Sequence, residues 1–164
     1  MHWFQFWLIL HILAVIVAFG PTFAFGLIAA LSQKQPQHAA FGTEIMETIE
    51  KRLTIPLAVL VPLFGTALIY TGHVDLWKSE WLLIAIVLYA AAFFFALLVQ
   101  TPNTAKMLHA LRSVSGPPPG GSPAGPPPEI VAMGKKLQMG GILLALLIIS
   151  VLVLMVWKPG ASFT

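Results

Sequence analysis

The sequence predicts an all-α integral membrane protein, a four-helix bundle with both termini on the outer side. Of its 164 residues 58% are hydrophobic and 9% are charged, with a mean hydropathy of +0.88, whereas a soluble domain carries about 25% charged residues. Nine Lys and Arg with six Asp and Glu cannot coat a water-facing surface. Segments apolar enough to cross a bilayer, which takes about 20 residues, recur four times, at about 3–31, 53–71, 81–100 and 139–157.

The first span, 3–31, has no formally charged residue, and its length sets it apart from a cleaved signal peptide, whose apolar core is about 7 to 15 residues behind a positive start. Gly20 and Pro21 lie within it, and Pro56 and Pro62 within the second span. Proline removes an N–H and clashes with the preceding turn, so both helices should bend, with neighbouring helices satisfying the freed carbonyls. Ser32 to Gly42 is expected to be a polar turn, with Thr43 capping a helical extension that carries Glu44, Glu47, Lys51 and Arg52 into the second span. Ile45, Met46 and Ile49 recur there at helical spacing, which suits a plain helix extension better than a membrane-surface helix.

The third and fourth spans are joined by SVSGPPPGGSPAGPPP at 113–128. Such a Gly and Pro segment neither buries a core nor sustains a helix, so it should be a flexible cytoplasmic linker. Its Pro-Pro-Pro runs also match polyproline recognition sites.

Orientation follows from the basic residues. Lys34, Lys51, Arg52, Lys106, Arg112, Lys135 and Lys136 fall on the side of the first and third loops, Lys78 and Lys158 on the side of the termini. Positive charge is retained in the cytoplasm, which predicts both termini outside. Trp3, Trp7, Tyr70, Trp77, Trp81 and Trp157 then make an aromatic belt at the outer interface. The scattered cations form no basic patch interleaved with aromatics, so nucleic acid is not an expected partner; the lipid bilayer is. Gly20 with Ala24, Gly26 with Ala30, Ala92 with Ala96, and Gly141 with Ala145 have the small-xxx-small spacing of tight helix contacts, within one bundle or between copies.

The spans hold no Asp, Glu, Lys or Arg, which disfavours an ion-coupled transporter. Their candidate functional residues are His11, Thr66, Tyr89 and Ser150. At a rise of about 1.5 Å per residue, His11 and Tyr89 lie roughly 12 Å below the outer interface and Ser150 roughly 10 Å below it. Thr66 stands about one turn in from Tyr70. If the four face one another they form a polar site centred on His11, the one group there that titrates near neutrality. An imidazole buried in lipid suits an axial ligand to haem or another metal, with Tyr89, Thr66 and Ser150 around it. The bland alternative is that they hydrogen-bond to backbone as interhelical glue. Cysteine is absent, so a metal would need histidine or oxygen. His2, His38, His73 and His109 form no His-x-x-x-His pattern. No Walker loop, GxSxG or paired carboxylates at depth point to an enzyme.

The stretches LILHILAVIVAFGPTFAF at 8–25, EKRLTIP at 50–56, SEWLLIAIVLY at 79–89 and MVWKPG at 155–160, in this order, resemble a bacterial family of predicted integral membrane proteins, small four-helix proteins of unknown function. The resemblance implies a multi-pass protein of the bacterial plasma membrane. More distantly, the layout is similar to HemJ-type protoporphyrinogen oxidases and CopD copper-resistance proteins, which share a first-helix histidine, at His11 here, and a basic turn before a proline-bearing second helix, at Arg52 and Leu53 here. That likeness implies haem b, or less directly copper, on His11. It also implies a lysine early in the third helix for oxidase activity, where this chain has Leu82, Leu83, Ile84, Ala85 and Ile86. Three functions follow as expectations: a structural or accessory membrane subunit, alone as a homo-oligomer or within a complex; a haem- or copper-handling protein; a small-solute transporter or channel.

Overall fold

The structure, a computed structural model, describes residues 2–114 and 127–160. Four long helices account for nearly all of them: α1 His2–Lys34, α2 Pro36–Thr71, α3 Glu80–Val114 and α4 Pro128–Trp157. Each is long and apolar enough to cross a membrane, and no strand occurs among the described residues. Every helix extends beyond the apolar run that predicts it, because helical hydrogen bonds continue into the polar flanks.

The helices pair as two antiparallel hairpins. In the first, His2–Phe19 packs along Ile55–Thr71 and Phe25–Lys34 along Ala39–Ile49; in the second, α4 runs along both halves of α3. The hairpins meet chiefly where Ala39–Ile49 lies on Thr101–Val114, at the loop end of the molecule. The buried apolar residues are mostly small: Ala14 and Ala18, Ala58 and Val61, Leu82, Ala85 and Ala92. Small side chains let backbones approach, which is how helices gain contact where lipid is as apolar as they are.

None of the three proline-marked helices is uniform. α1 narrows to a 3-10 turn over Gly20–Ala24, with Pro21 in its first turn. α2 widens to a π turn over Glu50–Thr54, directly followed by Ile55 and Pro56, and α3 does the same over Ala96–Gln100, followed by Thr101 and Pro102. A residue without an N–H cannot continue the α ladder, and the wider turn absorbs the misfit.

Three expectations about connections are corrected. The turn after α1 is not Ser32 to Gly42 but little more than Gln35, since α1 runs to Lys34 and α2 starts at Pro36. Thr43 does not cap a helix start: it is buried inside the helix and its hydroxyl donates to Ala39 O four residues back, 2.9 Å. Packing decides both, because a Cβ on Gly42 would collide with the Ser32 hydroxyl, so the two strands of the turn are pressed together in helical form. In the segment 113–128, Ser113 and Val114 belong to α3, Pro127 precedes α4 and Pro128 opens it; residues 115–126 lie outside the described residues. Between α2 and α3, Asp75 accepts the Trp77 N–H at 3.1 Å and caps a short turn at Leu76–Lys78. α4 ends as Lys158 turns left-handed (φ 44°) ahead of Pro159.

The small-residue pairs fare unevenly. Ala92 is buried, but nothing lies within 4 Å of a Cβ added at Gly20, Gly26 or Gly141. The close approaches fall at Gly42, Gly72 and Gly140 instead, where a Cβ would meet Ser32, the carbonyl of Leu68 with the Phe4 ring, and Gln100.

Candidate polar site of the bundle

Several polar side chains of the spans bond backbone carbonyls of a neighbouring helix, one of them a carbonyl that a proline leaves free. Pro62 has no N–H to offer the carbonyl four residues earlier, that of Ala58; the Tyr89 hydroxyl of α3 donates to that oxygen at 2.5 Å. One turn along α2, His11 of α1 bonds the Val61 carbonyl through Nδ1 at 3.0 Å. A carbonyl only accepts, so Nδ1 carries the hydrogen and the ring's lone pair sits on Nε2. The imidazole has room because residue 65 is glycine: a Cβ there would lie 3.4 Å from its Cε1. Nearer the loop end, Thr54 of α2 donates to Ala18 O of α1 at 3.0 Å. Gln100 of α3 donates to Leu137 O of α4 at 3.0 Å, over Gly140.

Of the four residues proposed from sequence, the structure brings His11 and Tyr89 to adjacent turns of α2 from two different helices. They do not touch each other's polar atoms but share the backbone between them. Thr66 and Ser150 are exposed, each donating to its own helix, to Pro62 O and Leu146 O at 2.8 Å. They do not join His11. Among the described residues no three His, Cys, Asp or Glu side chains converge on one point.

Sequence reasoning missed a second polar contact. Glu50, 7% exposed, opens the π turn of α2, and Thr101, which closes the π turn of α3, donates to its Oε1 at 2.5 Å. Part of the signal was available: Thr101 directly precedes Pro102 in VQTP, while Glu50 opens EKRLTIP, six residues ahead of Pro56. They were passed over because each falls beyond the edge of its apolar run. Thr54 and Gln100 stand at the very ends of their apolar runs, 53–71 and 81–100.

The two ends differ in character. Trp3, Tyr70, Trp77 and Trp157 are strongly exposed at the terminal end, where the Lys158 ammonium sits 5.6 Å from the Trp81 ring centroid. At the loop end, Arg112 of α3 pairs with Glu44 of α2 at 3.0 Å, and Asn103, Lys106, Met133 and Lys136 line a cleft of about 200 Å³ between α3 and α4. Four apolar helices with an aromatic end, a basic end and polar side chains bonded to backbone carbonyls define a multi-pass integral membrane protein. Residues 6–159 match the family described as predicted integral membrane protein (DUF2269), and the chain belongs to it. No curated protein and no solved structure matches.

Proposed function

We propose that this protein is a structural or accessory subunit of the membrane, assembled with copies of itself or within a larger complex. The observation that carries this reading is that the polar groups within the spans, His11, Tyr89, Thr54, Thr66 and Ser150, all bond backbone carbonyls. Those of His11, Tyr89 and Thr54 run between helices and hold them at fixed spacing and register, worth about 0.6 to 2 kcal/mol each. The open faces at Gly20 with Ala24 and at Gly26 with Ala30 on α1 leave small-residue surfaces for another helix. The seven-to-two division of basic residues favours a cytoplasmic loop end and outer termini, and the family resemblance favours the bacterial plasma membrane. The test is extraction of the chain with its surrounding lipid into polymer nanodiscs, followed by native mass spectrometry. A second copy or a partner at fixed stoichiometry is expected; a protein recovered as monomer alone overturns the reading.

A second reading rests on His11. With Nδ1 bonded to a carbonyl, Nε2 keeps the lone pair that haem iron or copper takes, the usual arrangement of a ligating histidine. His11 fits as one ligand, whereas Tyr89 is engaged by Ala58 and Thr66 and Ser150 face outward. Expression with haem precursor or copper tests it: a Soret band or bound copper, lost in His11→Ala, supports ligation, and a colourless, metal-free wild type overturns it.

A further inference from the structure

Glu50 is a carboxyl in surroundings that suit a carboxylate badly. It lies between α2 and α3 at the point where both helices widen, and it is buried. No Lys, Arg or His nitrogen stands within 4.0 Å of it among the described residues. An ionised group so placed is costly unless it is paired. Its hydrogen-bond partner, Thr101 Oγ1, is 2.5 Å away, and the same oxygen is 3.0 Å from Ala96 O. A threonine hydroxyl has one hydrogen, and a carbonyl can only accept. With Glu50 ionised, the carboxylate and Ala96 O, which keeps the Thr101 backbone N–H in either state, compete for that hydrogen. With Glu50 protonated, its O–H donates to Thr101 Oγ1, Thr101 donates to Ala96 O, and every hydrogen has a place.

We propose that Glu50 and Thr101 form a proton-binding site between the two π turns, and that the bound proton latches the two hairpins together. The ligand is a proton exchanged with the water layer at the loop end. When it leaves, the Thr101 hydrogen turns to the carboxylate, Ala96 O loses its hydroxyl partner, and a net charge stands in the seam between α2 and α3. The seam is loosened and water drawn in.

The surrounding titratable groups leave the Glu50 carboxyl without a cation in contact, although the charge of neighbouring Lys51 reaches it. On α2, Glu47 and Lys51 are paired with each other at 2.6 Å, and Arg52 is exposed on the helix surface. α1 carries no acid; His11 lies two turns from Ala18 toward the terminal end, and Lys34 ends the helix. On α3, Lys106, His109 and Arg112 lie beyond Thr101, with Arg112 held by Glu44 and Lys106 in the cleft facing α4.

Infrared spectroscopy of the full chain in lipid nanodiscs tests the site directly. Wild type at neutral pH should show a protonated-carboxyl C=O band that is absent in Glu50→Gln and moves to the higher frequency of a less hydrogen-bonded carboxyl in Thr101→Val. Dicyclohexylcarbodiimide supplies a second readout needing no variant: a carboxylic O–H adds across its C=N bond, oxygen to carbon and hydrogen to nitrogen. Peptide mass spectrometry should place the adduct on Glu50, with labelling falling up to about tenfold per pH unit above the titration of the site. Thermal stability should fall on alkalinisation in wild type and stay level in Glu50→Gln. A carboxylate band at neutral pH in place of the C=O band, or labelling spread over the exposed acids, overturns the proposal. So does alkaline destabilisation that persists undiminished in Glu50→Gln.

Discussion

The Tyr89 hydroxyl donates to the Ala58 carbonyl across 2.5 Å, and Ala58 is the residue whose carbonyl Pro62, four positions on, cannot bond. A helix defect and its remedy therefore come from different helices, α2 and α3, and the remedy ties the two hairpins together at mid-depth. Phe19 of α1 meets the same tyrosine ring edge to face, 6.2 Å between centroids, so three helices converge on one side chain.

Tyr89→Phe keeps the ring and removes the donor, leaving Ala58 O bare in a low-dielectric seam. The expected loss is about 1 to 2 kcal/mol of stability, read as a lower melting temperature in nanodiscs. In a Pro62→Ala background the helix recovers the N–H that Ala58 lacks, so the Tyr89→Phe penalty should shrink. Equal penalties in both backgrounds would show that Pro62 does not set the demand for Tyr89.

At Gly140 an added Cβ would overlap Gln100 Oε1. Gly140→Ala therefore displaces the Gln100 side chain and breaks its bond to Leu137 O, for about 0.5 to 1.5 kcal/mol. Gly141→Ala, one residue on with open space around it, should leave stability unchanged or raise it slightly, as alanine is the better helix former. The same melting measurement on both variants separates close approach from helix propensity.

The chain has no cysteine, so single cysteines map its topology without background. Ser79→Cys at the terminal end should react with a membrane-impermeant maleimide added outside intact cells. Ser113→Cys at the loop end should react after lysis alone. The reverse pattern would invert the proposed orientation.

In the α2–α3 connection, the hydrogen bond from Lys78 beside Asp75 holds its carboxyl below the usual aspartate range. A carboxyl whose folded pKa is depressed contributes stability above its unfolded value and loses that contribution as pH falls through the folded one. Acidification into and below the aspartate range should thus release the Trp77 amide to faster hydrogen exchange, while Asp75→Asn should show no such acid step. The group is fully exposed, so the effect is confined to this turn.

What the sequence made legible follows from single-helix physics. Long apolar runs predicted four spanning helices, prolines predicted the bends, and tryptophans and lysines sorted the ends. The misplaced expectations share one cause. Thr43 has the composition of a cap and Ser32 to Gly42 that of a turn, yet both are taken up into helix where Gly42 presses on Ser32; spacing states which residues share a face of a helix but not which face meets a neighbour.

The sequence by itself determined the solvent of this protein, its helices and the carbonyls its prolines would leave wanting, because each depends on residues close along the chain. Tertiary structure alone decided which side chains bond across helices: His11 reaches Val61 across 50 positions, Tyr89 reaches Ala58 across 31, and Thr101 reaches Glu50 across 51. No local pattern encodes those partners, for a hydrogen bond of about 3 Å between helices depends on the register and rotation with which two hairpins dock.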